Sequence, residues 1–227
     1  AIRKGEIWIL SNLGGDPRNI EYSLFADALH DPMGLIYRDG TFYTAQRAEL
    51  TAIRDTDGDG YADEYSNVAS GWGVTGNYHE YTYGPKLDQQ GNFWVTLNMG
   101  MGEHANNGDD LWRGWGIKID GNGKLIPVCS GMRSPSGFGA NSHGDMFFTD
   151  QQGNWIATCS LHHMREDSFF GHPWGLRSPH QAKLPTTEEV ESVAAGVPWP
   201  NALPKITNLK PPAVWFPYKN VGQSATD

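Results

Sequence analysis

The stretch Asp55-Thr-Asp-Gly-Asp-Gly-Tyr-Ala-Asp-Glu64 sets carboxylates at alternate positions 55, 57 and 59, adds a glycine at 60 and returns to acids at 63 and 64. Calcium takes roughly six to eight oxygens at about 2.3–2.6 Å, and an Asp-x-Asp-x-Asp-Gly start lets three side chains and the Tyr61 carbonyl wrap one ion. Asp63 or Glu64 would complete the shell. Carboxylates packed this densely repel one another unless a cation joins them; the alternative is a solvated acidic turn. The loop departs from the EF-hand form, because its twelfth position is Ser66 and not Glu. No nucleophile or base lies inside the run, so an ion held there would be structural.

Two other groups could do chemistry. His162 and His163, with His143 and His172 nearby in sequence, offer imidazoles to a transition metal, but neighbours on a strand face opposite sides and cannot both point inward. Cys129 and Cys159 stand 30 positions apart with no second pair, which excludes a zinc ribbon and a C-x-x-C-H haem signature. A disulfide and two separate buried thiols both remain open, since the choice depends on a Cα separation.

The elements that must position these residues announce themselves by repetition. Gly40-Thr-Phe-Tyr-Thr44, Gly91-Asn-Phe-Trp-Val-Thr96 and Gly144-Asp-Met-Phe-Phe-Thr149 recur at spacings of 51 and 53 residues, each with an earlier glycine at Gly34, Gly84 or Gly137. Gly5-Glu-Ile-Trp-Ile-Leu-Ser11 looks like a weaker fourth member. Each unit reads as a strand, a short turn forced by glycine at positive φ, and a buried aromatic strand. That is the inner hairpin of a propeller blade, and repeats of this length suit four-stranded blades that bury both faces against neighbours. A plain β-sandwich is the alternative.

Outer strands are expected at Leu50–Arg54, Gly116–Asp120 and Lys124–Val128. From Leu176 to Pro212 the pattern becomes proline-rich, with a helix over Thr186–Ala195 capped by Thr186 or Thr187, before strand character returns at Ala213–Pro217. The expectation is therefore an all-β, partial β-propeller over residues 1–227. It has about three to four blades of a larger, six-bladed ring, one inter-blade insertion and an incomplete C-terminal end. An open ring needs a partner chain or a missing C-terminal portion to cover its strand edges.

A composition of 28 Gly, 14 Pro and 9 Trp fits many short strands better than helices. The net charge of −9 argues against nucleic-acid binding, which needs clustered Lys and Arg. No apolar stretch reaches the roughly 18–20 residues that cross a bilayer, so the mature chain is expected to be soluble.

Asp31-Pro-Met-Gly34, the acidic loop, His79 and Gly131-Met-Arg-Ser-Pro-Ser-Gly137 together resemble the glucose/sorbosone dehydrogenase propellers of soluble quinoprotein type. The likeness is greatest to exported, planctomycete-type members described as membrane-bound dehydrogenases, and runs over nearly the whole chain. In the quinoprotein branch a strand-borne His precedes a Gly-Pro-Asp-Gly turn, and a Gly-x-Arg-Asn-Pro-x-Gly motif follows a blade later. His79, ahead of Gly84-Pro-Lys-Leu-Asp-Gln-Gln-Gly91, matches the catalytic His, and Arg133 matches the Arg that helps hold pyrroloquinoline quinone (PQQ). Ser134 stands where that motif has Asn. The resemblance implies that His79 takes the proton of a sugar hydroxyl while hydride passes to the quinone. It also implies a guanidinium on a carboxylate-rich cofactor and a downstream half, beyond this chain, that adds cationic contacts.

His79 also reads as a hydrogen-bonded histidine near the axis, and Arg133 as the partner of Asp145 or Asp150. Gly171-His172-Pro173-Trp174 reads as a packed turn with Trp174 as sugar-stacking surface. Two functions compete. One is a periplasmic or extracellular calcium-binding oxidoreductase acting on a carbohydrate with PQQ; the other is a non-catalytic glycan- or protein-binding propeller that assembles with a partner chain. A calcium-dependent lactone hydrolase would instead need its cation at the central axis.

Overall fold

The computed structural model describes residues 4–101, 110–179 and 183–224. Strands β3 (Leu35–Arg38), β4 (Thr41–Ala45), β5 (Glu49–Arg54) and β6 (Glu64–Ser70) form one antiparallel sheet in chain order. A second sheet runs β7 (Thr82–Leu87), β8 (Phe93–Leu97), β9 (Trp115–Ile119), β10 (Leu125–Ser130), with the short β14 (Ser168–Phe169) added in parallel at its outer edge. The third runs β11 (Gly137–Ala140), β12 (Met146–Asp150), β13 (Cys159–His163) and β15 (Val214–Phe216). These are three blades, and the all-β partial propeller expected from the repeat is the architecture found.

Strand β8 shows why the blades stack. All five of its residues are buried, with Phe93, Val95 and Leu97 packing toward blade one beside Leu50 and Trp72. Trp94, on the opposite face, packs toward blade three with Phe138 and Phe148. Alternation of side chains sends successive residues to two different cores, so the central blade is apolar on both sides. The innermost strands approach closely enough to require glycine. Gly84 N–H donates to Met33 O at 3.2 Å, and a Cβ on Gly34, at φ +141°, would lie 2.5 Å from Gly84 O.

The hairpin turns differ from the short turns expected. Only blade one has a two-residue connection; the other two span five residues. The cause is a side chain: Asp88 Oδ1 accepts from Gln90 N and Asn92 N, and Asn141 Oδ1 accepts from His143 N and Asp145 N. Each closes an Asx turn ahead of its glycine.

Gly5–Ser11 is also not an inner hairpin. It is β1, paired with β2 (Glu21–Leu29) in a separate ribbon. The ribbon packs Ile7, Phe25, Ala26 and Leu29 on Ile53 and Ala62 of blade one. It covers only the outer part of that blade face, leaving Leu35 and Tyr37 exposed.

The proline-rich excursion between β13 and β15 forms a core of Phe169, Leu176, Val190, Val193 and Ile206, joined by Trp155 from the loop between β12 and β13. It contains α1 (Thr187–Glu191), shorter than expected, and α2 (Trp199–Ala202). Thr186 is the N-cap, in a capping box with Glu189.

Candidate functional site

In the acidic loop, carboxylate oxygens of Asp55, Asp57 and Asp59 all lie within 4.8 Å of one another. Oxygens on opposite sides of one calcium ion would stand about 4.8 Å apart, so the three fit a shared ion. The loop's own amides hold the ring: Asp55 accepts from Gly58 N and Gly60 N, and Asp59 from Tyr61 N. Two of the other candidates are engaged elsewhere: Asp63 accepts from Thr56 N and Oγ1, and Glu64 pairs with Ser66 and Arg54. These bonds hold the Asp63 and Glu64 carboxyls below their ordinary range. The Tyr61 hydroxyl donates to Asp27, which leaves the role expected of its carbonyl untouched.

His79 lies in the loop between β6 and β7, three residues ahead of the strand. Two buried arginines fix that loop. Arg47 donates to Asn77 O and Tyr78 O at 2.9 and 2.8 Å and to Asp31 at 2.6 Å. Arg113, 2% exposed, donates to Gly73 O, Tyr81 O and Arg47 O. Glu80 is fully buried, holds Thr75 through both carboxylate oxygens, and lies within electrostatic reach of Arg113. The His79 ring lies against Tyr78 at a tilt of 35°, and its Nδ1 is buried without a partner. Burial first, then the Arg133 charge, lowers its pKa, so the imidazole is neutral at pH 7.

Arg133 comes from the loop between β10 and β11. Its backbone N–H and that of Ser134 donate to the Asp150 carboxylate at 2.9 and 2.7 Å, so Asp150 holds the motif through amides. The guanidinium Nε donates to Asn154 and the group lies flat on Gly153, where a Cβ would fall 2.7 Å from Cζ. Nη1 and Nη2 have no partner among the described residues. Asp145 serves His163 instead, at 3.6 Å.

Two residues not singled out for this site also belong here. Asn98, 1% exposed, donates both amide hydrogens, to His79 O at 2.6 Å and Met99 O at 2.8 Å, which leaves Oδ1 buried and unpaired. His172, 1% exposed, has an unpaired Nε2 and feels the Arg133 charge. Unpaired buried polar atoms are rare and cost about 1–3 kcal/mol each. Their concentration beside His79 and Arg133 marks the place where a polar ligand would repay them.

His162 and His163 point to opposite sides, as strand alternation requires. His162 is buried on Phe148 and Phe170, and His163 stacks on Phe147 at the other face. Among the described residues, the acidic loop alone forms a group of three or more His, Cys, Asp or Glu ligands within reach of one metal ion. Cys129 and Cys159 are both free and buried, and burial pushes the Cys129 thiol up.

Three buried groups set the acid response. Burial lowers His162 and His172 to about 3, with the Arg133 charge adding at His172, and burial raises Asp150 to about 6 against its amide donors. Between about pH 4 and 6 the unfolded chain holds both histidine protons and the native chain only the Asp150 proton. Unfolded protein therefore binds one more, and the histidines win. Stability is expected to fall by about 1.4 kcal/mol for each pH unit of acidification in that window. Urea titrations at stepped pH check this; a profile that is flat or rises toward pH 4 contradicts it.

No curated protein matches the sequence significantly. Solved structures do match in fold. An iodide structure of a Trichoderma reesei carbohydrate-active enzyme of family AA12 superposes with a TM-score of 0.59 at 14% identity, covering 92% of this chain and 61% of that one. An oxidoreductase (glucose dehydrogenase) of Thermus thermophilus gives 0.57 at 14%, covering 94% and 67%. A further glucose dehydrogenase gives 0.54 at 12%, covering 74% and 58%. The chain thus spans about three fifths of the AA12 structure's length. At these identities the likeness is one of fold, shared with glucose-dehydrogenase propellers. Residues 2–202 match the family described as Domain of unknown function (DUF7133), and the chain belongs to that family.

Proposed function

We propose that this chain forms the His- and Arg-bearing part of an exported, quinone-dependent sugar oxidoreductase, with calcium held by Asp55, Asp57 and Asp59 as a structural ion. The observation that carries the reading is the meeting of His79 and Arg133, from loops 54 positions apart in sequence, around unpaired polar atoms. PQQ, when bound, would supply the two-electron acceptor. Arg133 offers its free Nη edge to a carboxylate. His79, neutral and unpaired, accepts the proton of the sugar hydroxyl. Asn98 keeps the His79 backbone in place. Asp150 orders the Arg133-Ser134 turn. The test is calorimetry of PQQ with calcium, followed by dye reduction with aldoses; absence of quinone binding removes the reading.

The open blade faces favour a second reading, a non-catalytic propeller module that engages a glycan or a partner chain. Tyr37, 64% exposed on the inner strand of blade one, is the surface another blade would cover. In either reading, further blades from a companion chain or a continuation of this one close the ring. Among the described residues no helix is long and apolar enough to cross a membrane.

Calcium is expected to raise stability by about 2.7 kcal/mol at a hundredfold excess over its dissociation constant, and chelation to reverse it. Thermal unfolding with and without chelator measures this. Asp57→Asn should abolish the response; an unchanged calcium shift in that variant contradicts the assignment.

A further inference from the structure

The geometry points to His172 as a third polar contact of the His79–Arg133 site, meeting through Nε2 the same planar, carboxylate-bearing ligand that Arg133 binds. This rests on the quinone reading for the ligand's identity, but not for its chemical class.

Three loops converge on Arg133. The Gly171-His172 turn is fastened beneath it: Phe170 N donates to Ser130 O at 2.9 Å and His172 N to Gly131 O at 3.1 Å. The backbones meet so closely that a Cβ on Gly131 would lie 2.6 Å from Phe170 N and 2.8 Å from Gly171 N. The third loop, bearing Gly153 and Asn154, packs Trp155 against Gly171 and holds the Arg133 guanidinium by Nε. His172 is thus placed by backbone bonds, and its ring nitrogen is left without work.

A packed turn needs no imidazole there. An apolar ring of similar size would fill the space without burying an unpaired nitrogen, whose desolvation opposes folding. The retained nitrogen is accounted for by a bound ligand. The ring stays neutral beside the guanidinium, and a neighbouring cation favours a lone pair over a proton on Nε2, so the ligand supplies a hydroxyl or N–H donor. Arg133 takes the carboxylate through Nη1 and Nη2. A ligand with a carboxylate and a donor on one rigid plane satisfies both.

The experiment uses the full chain, labelled with 15N-histidine, in calcium. Two probes are titrated: PQQ, and indole-2-carboxylate, which shares a carboxylate and an N–H donor on one rigid plane but not the quinone. His172 ring 15N signals should move with at least one probe while those of exposed His143 stay fixed. His172→Phe should weaken that probe about tenfold at an unchanged or raised melting temperature, with His172→Gln recovering part of the loss. Should His172→Phe fail to fold, the Gln variant and the 15N shifts decide alone. Movement with indole-2-carboxylate but no PQQ binding would sink the quinone reading and leave His172 in place. Stationary His172 signals with both probes, or binding in the variants as tight as in the native protein, overturn the proposal.

Discussion

Replacing Arg113 by methionine is expected to lower stability by about 3–5 kcal/mol, seen as a large drop in the urea midpoint. The guanidinium is almost fully buried, yet burial lowers its pKa only to about 10, so it is charged at neutral pH. Its Nε, Nη1 and Nη2 donate to Gly73 O, Tyr81 O and Arg47 O at 2.8–2.9 Å. Methionine fills similar volume but deprives Gly73 O of its donor and leaves Glu80 without its nearby cation, while Tyr81 O keeps Asn98 N and Arg47 O keeps Trp72 Nε1 and Thr82 Oγ1. Lysine should recover only part of the loss, because one ammonium cannot reproduce a planar fork that spans three acceptors. Equal midpoints for the native protein and the methionine variant would show that the network contributes nothing.

The largest effect on activity is expected at His79. If the chain, completed by its remaining blades and loaded with quinone, oxidises an aldose, His79→Gln should reduce turnover by about 10²–10⁴-fold with little change in melting temperature. The stability side follows from partial exposure and a ring whose aromatic contact is a tilted one with exposed Tyr78. Because burial and Arg133 lower the His79 pKa, the neutral base persists at pH 6.5 and is lost only as pH falls through the lowered value. The acid limb of kcat/KM should therefore lie below 6.5 and vanish in the variant. Full turnover by His79→Gln would assign the proton to another group.

What the sequence made readable was local. Glycine-led hairpins show themselves because a turn at positive φ and an alternating strand need only neighbouring residues, and Gly40, Gly91 and Gly144 lie at φ +78°, +81° and +87°. The capping box at Thr186 was legible for the same reason. What escaped was held by distant partners. Arg47 and Arg113 look like ordinary surface cations until the fold brings Arg113 against a carbonyl 66 positions away. Asn98 follows a buried strand with nothing nearby to flag its amide. His172 sits in a Gly-His-Pro-Trp run that reads as a turn, and only burial beside Arg133 exposes its spare nitrogen. Strand β14, with two residues, has no pattern to read. For the acidic loop the spacing revealed the Asp55, Asp57 and Asp59 cluster, but not that Arg54 and Thr56 compete for Glu64 and Asp63.

The carbonyl of Arg47 receives Trp72 Nε1 at 2.8 Å, Thr82 Oγ1 at 3.0 Å and Arg113 Nη2 at 2.8 Å. An oxygen has two lone pairs, so three donors draw unusual electron density out of one C=O bond. That bond should vibrate at the low-frequency edge of the amide I band. A single isotope at this carbon would then report, as a spectral line, whether the first and second blades are clasped.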